Sequence, residues 1–128
     1  MDISLDSWPY CGGNSLAEAL WQGVPVVTLT GARATAAYGA SLVAAAGLSD
    51  LVAHTPAEFV SIAAQLASDT DRMKALRDNL RDMMRLNGLS DPKRVANSLE
   101  DAYSQMMLKR FGPVAQGAPE IKTPEAAQ

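Results

Sequence analysis

Three observations in the sequence predict an α/β fold in which short parallel strands are followed by several helices. The run VPVVTL at residues 24–29 is apolar and β-branched without polar alternation, the pattern of a strand covered on both faces in a parallel sheet. Ile3, Ser4 and Leu5 read as an earlier strand, and one turn and one short helix separate the two, which makes a compact βαβ unit. Beyond residue 54 the apolar residues recur mostly at helical spacing. This order describes the C-terminal half of a Rossmann-like domain, and it predicts an exposed apolar sheet edge beside the first strand.

Each element has its own signals. Ser7-Trp8-Pro9-Tyr10-Cys11-Gly12-Gly13 is turn-rich, because proline and the glycine pair interrupt regular structure. A helix can start at Asn14 or Ser15; Leu16, Ala19 and Leu20 form its apolar face, Gly23 stops it and Pro25 follows. Gly31 to Thr35 reads as loop, Ala36 to Ala46 as a helix ended by Gly47, and Leu51 to Ala53 as a brief strand. Thr55-Pro56-Ala57-Glu58 matches a capping box with proline at the first helical position, opening a helix to about Ala67. The next helix is expected from about Asp71 to Leu86, burying Met73, Leu76, Leu80 and Met84, with Gly88 past its end. Asp91-Pro92 opens a last helix in which Val95, Leu99, Ala102, Tyr103 and Met106 make one apolar stripe. Residues 111–128, rich in Pro, Ala, Glu and Gln, are expected to form a disordered tail behind a partial domain at residues 1–110.

Bulk properties narrow the function classes. A chain of 128 residues, 48% hydrophobic and 20% charged, is long enough for one domain with a core. The formal charge of −3 gives no general attraction to nucleic acid or to an anionic membrane, so neither is an expected partner. One cysteine and one histidine form neither an internal disulfide nor a metal site of the usual ligand count, so no metal is expected and a reducing, cytoplasmic setting fits. The opening MDISLD lacks a signal-peptide pattern, and no apolar segment reaches membrane-spanning length. A strand at the very start, with no element before it to cover or pair it, predicts a piece of a larger domain that could associate through the exposed sheet edge.

The chemistry concentrates at the glycine turn. A diphosphate needs several N–H donors aimed at one point, which the free first-turn amides of a helix supply with the positive end of the helix dipole behind them. Gly12 and Gly13 let the backbone approach closely, and Asn14 and Ser15 can cap the helix or donate to phosphate oxygens. Glu18, four residues after Asn14 on the same face, can accept from both hydroxyls of a ribose. Gly-Gly-Asn-Ser is equally an ordinary loop with a helix cap. His54 and Cys11 read as structural, Cys11 because no basic partner is evident to activate it. Trp8, Tyr10 and Trp21 could stack on a base, although packing of the turn against the sheet is the default, and the basic residues at 72, 74, 77, 81 and 85 mark a solvent-facing helix surface.

Wider context shifts the balance. Tyr10-Cys11-Gly12-Gly13-Asn14-Ser15-Leu16-Ala17-Glu18, followed by Gly23-Val24-Pro25-Val26-Val27, resembles the donor-binding signature of two-domain, GT-B type glycosyltransferases. LDSWPYCGGNSLAEALWQGVPVVTLTG, then GASLVAAAGLSDLVAHTPAEFVSIAAQLASD, LRDNLRDMM and LEDAYSQMMLKR, are similar in order to the C-terminal part of the O-linked N-acetylglucosamine transferase family, including its SPINDLY-like members, over nearly all of Asp2 to Arg110. The resemblance implies a GT-B donor-binding domain, UDP-N-acetylglucosamine as donor, no metal or other cofactor, and serine or threonine of a protein as acceptor. By position it implies diphosphate contacts at Gly13, Asn14 and Ser15, beside the close backbone approach at Gly12, and a ribose contact at Glu18; it assigns no catalytic residue within this chain, and Tyr10 and Arg33 are candidate accessory residues, Arg33 reading otherwise as a solvated loop charge. Two positions depart from the family: animal members carry histidine at the place of Gly13, and many members carry arginine at the place of Ala37, for which the nearby Arg33 could compensate. The protein acceptor is expected only where an acceptor-binding lobe and helical repeats accompany this region, and an isolated chain is expected to be inactive. The alternatives are a non-catalytic module binding a nucleotide or a protein, and a GT-B enzyme acting on small molecules or lipids.

Overall fold

The computed structural model describes residues 1–112. Its elements run β1 (Ser4–Leu5), α1 (Asn14–Trp21), β2 (Val26–Leu29), α2 (Ala34–Ala45), a 3₁₀ turn at Ser49–Leu51, β3 (Val52–Ala53), α3 (Pro56–Ser68), α4 (Thr70–Leu86) and α5 (Pro92–Phe111). The α/β class and the order of elements are those expected from the sequence. Residues 113–128, most of the expected tail, lie outside the described residues.

The sheet has the order β1-β2-β3 with parallel pairing throughout: Ser4 lies opposite Val26, Leu5 opposite Val27, Thr28 opposite Val52 and Leu29 opposite Ala53. As the central strand, β2 buries Val26, Val27 and Thr28 completely, which explains its unbroken apolar run. Leu5, on the edge strand β1, is 58% exposed. Leu16 and Leu20 from α1, Val43 and Ala46 from the α2 side, Leu66 from α3, and Leu76, Leu80 and Met84 from α4 close the core around β2. Each fully buried leucine contributes about 1.5–3 kcal/mol.

Local chemistry sets the helix ends. The Thr55 hydroxyl accepts the Glu58 N–H at 3.2 Å while Glu58 Oε2 accepts the His54 N–H at 2.7 Å, so the capping box closes one residue further back than its usual form. Asp69 caps α4 by accepting the Arg72 N–H at 2.9 Å. α2 starts two residues before the expected Ala36, behind Arg33, which makes no side-chain cap bond; without a capping residue the sequence carries no mark of this start. Gly23 ends α1 with φ +79°, and a Cβ there would stand 2.7 Å from the Arg77 carbonyl oxygen, so α4 crosses this turn at a distance only glycine permits.

The basic face of α4 is solvent-facing as expected, and its arginines also make specific contacts there: Arg72 pairs with Asp50, Arg77 with Asp2 at 2.6 Å, and Arg81 donates through Nε to the Trp21 carbonyl at 3.0 Å. Arg81 and Arg85 each hold a guanidinium 5.2 Å from the Trp21 ring centroid, so Trp21 packs on α4 rather than at the glycine turn. The chain divides into two compact units, Met1–Asp91 and a second beginning at Pro92. The α5 stripe is not buried: Val95 and Leu99 are each 50% exposed, and no residue of the helix is buried. Among the described residues no helix is long and apolar enough to cross a membrane.

Candidate functional site at the glycine turn

The segment between β1 and α1 is held at four points. Ser7 Oγ donates to the Tyr10 carbonyl at 2.6 Å, closing the first bend, and the Cys11 N–H donates to the Thr35 carbonyl at 3.0 Å, tying the turn to the start of α2. Gly12 N–H donates to Asp6 Oδ1 at 2.9 Å, and the other carboxylate oxygen, Oδ2, accepts the Thr28 hydroxyl at 2.8 Å. Asp6 and Thr28 are both buried. A buried carboxylate thus anchors the turn from beneath, with each oxygen satisfied by a donor.

Gly39 of α2 packs against this anchor. A Cβ there would overlap Asp6 Oδ2 and come within 2.8 Å of Thr28 Oγ1, so the absence of a side chain lets α2 approach. Gly12 is constrained from the other side: a Cβ would stand 2.7 Å from Ser15 Oγ and 3.0 Å from Leu16 Cγ. Gly13 differs, because its Cβ position is 3.7 Å from Tyr38 Cε1, an ordinary contact distance.

Gly13 is the N-cap of α1, and no side chain caps the helix. Asn14 and Ser15, for which capping was one expectation, occupy the first two helical positions with exposed side chains. The Gly13 carbonyl accepts the N–H groups of Leu16 and Ala17 at 3.1 and 3.3 Å, whereas those of Asn14 and Ser15 have no acceptor among the described residues. Two backbone donors without a protein partner and the positive end of the α1 dipole therefore lie immediately after a turn fixed from within. The Gly12 N–H is committed to Asp6 and is not among these open donors. Glu18 is exposed one turn further along α1, and Arg33 is exposed at the start of α2.

Trp8 and Tyr10 do not pack into the sheet as expected; they are 59% and 74% exposed, because the anchoring of the turn falls to Asp6 and to Cys11 instead. Cys11 is buried, and burial pushes its thiol above the ordinary value, helped by the neighbouring Asp6 carboxylate and partly offset by hydrogen bonding from the Gly39 backbone and Thr28. It is a packed residue, not an activated nucleophile. His54 is exposed beside the Thr55 cap, away from the turn in sequence. Sequence reasoning passed over Asp6, Thr28 and Gly39. The available signal was a carboxylate directly after a strand together with the only polar residue in VPVVTL.

The model of glycosyl transferase family 41 matches residues 1–99. The chain is 42% identical over 106 residues to a protein of Hordeum vulgare named probable UDP-N-acetylglucosamine–peptide N-acetylglucosaminyltransferase SPINDLY, with 83% of this chain and 11% of that protein aligned. It is 33% identical over 111 residues to the UDP-N-acetylglucosamine–peptide N-acetylglucosaminyltransferase of Caenorhabditis elegans, covering 86% of this chain and 10% of the relative. A solved structure of a mutant Thermobaculum terrenum O-GlcNAc transferase superposes with a TM-score of 0.77 at 42% identity, over 83% of this chain and 20% of that one. The chain therefore spans about a tenth of the length of the curated relatives it matches. Its parallel sheet, its glycine turn and these matches together make it a member of glycosyl transferase family 41.

Proposed function

We propose that this chain supplies the donor-binding wall of a protein O-GlcNAc transferase, gripping the diphosphate of UDP-N-acetylglucosamine at the start of α1. The observation that carries this reading is the pair of amides at Asn14 and Ser15, without an acceptor among the described residues and on exposed residues behind a glycine N-cap, in a turn that Asp6 fixes from beneath. The names of the relatives supply the donor and the peptide acceptor.

In the reaction, a serine or threonine hydroxyl of the acceptor attacks the anomeric carbon of the sugar. The bond from that carbon to the β-phosphate oxygen breaks, UDP leaves, and the hydroxyl proton passes to a base. The base is not assigned to this chain. Negative charge gathers on the leaving diphosphate, where fixed N–H donors and the helix dipole stabilise it without a metal ion or other cofactor. The side chains of Asn14 and Ser15 add donors to the phosphate oxygens, Glu18 accepts from the ribose hydroxyls, and Arg33 offers a charge at the mouth of the site. Acceptor binding and proton transfer belong to other parts of a full-length transferase, so the 128-residue chain alone binds donor without sustained turnover. A cytoplasmic setting suits a protein acceptor and a free buried thiol.

Titration of the chain with UDP, followed by NMR, tests the reading. Wild type is expected to show shifts centred on residues 12–18, and the double substitution Asn14→Ala, Glu18→Ala to abolish them. Unchanged affinity in the double variant removes the site assignment; no binding by wild type, even with the remaining lobes supplied, favours a non-catalytic interaction role.

A further inference from the structure

The cleft beside the diphosphate turn is built for something other than phosphate. It has a volume of about 360 Å³ and is lined by Tyr10, Cys11 and Gly13 from the turn and by Ala34, Thr35 and Tyr38 from α2. Tyr38 lies four residues after Ala34 and three after Thr35, so the first turn of α2 presents these three side chains on one face toward the glycine turn. The Tyr38 ring edge stands 3.7 Å from the Cβ position of Gly13, in contact range of the N-cap of α1. Tyr10 and Tyr38 are nevertheless 74% and 53% exposed. Two large aromatic rings left open on one small cleft mark a surface that meets a ligand with an apolar face.

The order of groups along the turn selects that ligand. Along the chain Glu18 follows the open amides of Asn14 and Ser15 by one helical turn, whereas Tyr10 and Gly13 precede them, and Tyr38 stands at Gly13 in the same cleft. A nucleotide sugar whose ribose meets Glu18 and whose diphosphate covers residues 14 and 15 directs its remaining group over Gly13 and into the cleft. The volume is near the low end of the roughly 300–1,000 Å³ usual for small-molecule sites, room for one sugar ring rather than a whole nucleotide.

We infer that Tyr38, with Tyr10 beside it, receives the transferred hexose of the donor: the C–H face of the sugar rests on the phenol ring, and Thr35 lies within the same wall to meet its hydroxyls. Tyr38 is thereby a specificity-determining residue for the sugar, distinct from those that grip the diphosphate. This inference rests on the donor-binding reading above.

The experiment compares UDP with UDP-N-acetylglucosamine on the full chain, for wild type, Tyr38→Ala and Tyr38→Phe, with urea midpoints confirming that each variant folds. Wild type is expected to bind the sugar nucleotide more tightly than UDP. Tyr38→Ala should erase that margin, weakening UDP-N-acetylglucosamine by about 5–10-fold and UDP by less than about 2-fold, and Tyr38→Phe should retain it because the ring face carries the contact. Equal loss for both ligands in Tyr38→Ala, no loss for either, or a Phe variant as weak as Ala overturns the role of Tyr38 while leaving diphosphate binding intact. Absence of UDP binding by wild type instead overturns the donor-binding reading, and this inference with it.

Discussion

The Asp6 carboxylate accepts the Gly12 backbone N–H at 2.9 Å from beneath the glycine turn. The bond commits one amide to the interior, and with Gly12 pinned and Gly13 capping α1, the N–H groups of Asn14 and Ser15 are left without an acceptor among the described residues. The acid contributes geometry. Its two donors, Gly12 N–H and Thr28 Oγ, absorb much of its negative charge.

Removing the anchor should therefore cost both stability and binding. Asp6→Ala leaves the Thr28 hydroxyl and the Gly12 N–H without their partner in a buried site, with an expected loss of about 3 kcal/mol in urea unfolding. Asp6→Asn keeps an acceptor for Gly12 and should lose only about 1 kcal/mol. Equal losses in the two variants would show that the asparagine amide oxygen does not replace the carboxylate as the acceptor that holds the turn.

The glycines separate by what surrounds them. Gly39→Ala drives a methyl into Asp6 Oδ2 and Thr28 Oγ1 and should destabilise the fold by about 1–3 kcal/mol. Gly23→Ala faces both a positive φ and the Arg77 carbonyl, with a similar expected cost of about 1–3 kcal/mol or more. Gly13→Ala, by contrast, meets only Tyr38 at 3.7 Å and should stay within about 1 kcal/mol of wild type. Chemical denaturation of the three variants side by side checks the ranking; a Gly13 variant as unstable as the other two would contradict the geometry of the turn.

The same contrast shows what the sequence could reveal. The buried strand β2, the capping box at Thr55 and Glu58, and the glycine stop at Gly23 were legible because each depends on residues close in sequence. The glycine turn and the helix behind it were legible for the same reason. Asp6 was not, because its partner Thr28 is 22 residues away and an aspartate before a turn reads equally well as solvated. Tyr38 was hidden likewise: only the docking of α2 on the turn brings it to Gly13. Trp21 and Arg81 meet across 60 residues of chain, a pairing that periodicity within either helix does not encode.

That pairing makes a third prediction. Arg81 combines a hydrogen bond to the Trp21 carbonyl with a position over the ring, so Arg81→Ala should destabilise by about 1–1.5 kcal/mol, whereas Arg85→Ala loses the ring contact and should cost about 0.5 kcal/mol. A double-mutant cycle of Trp21→Ala with Arg85→Ala isolates the ring contact, with an expected coupling of about 0.5–1 kcal/mol. Zero coupling would mean that the Trp21 ring adds nothing to the Arg85–Asp82 pair.

The buried thiol makes stability depend on alkaline pH. Burial favours the neutral Cys11 thiol, so its folded value lies above the value in the unfolded chain. Below the ordinary thiol value both states carry the proton, and the contribution is fully present. As pH rises past that point the unfolded thiol ionises first, the folded state holds more protons, and stability falls until the folded thiol also titrates. Urea midpoints across the alkaline range should therefore decline more steeply in wild type than in Cys11→Ala, and iodoacetamide should alkylate Cys11 slowly until urea unfolds the chain. Parallel pH profiles for the two proteins, or rapid alkylation of the folded chain at neutral pH, would show that the thiol is open to solvent and that the glycine turn is not closed over it.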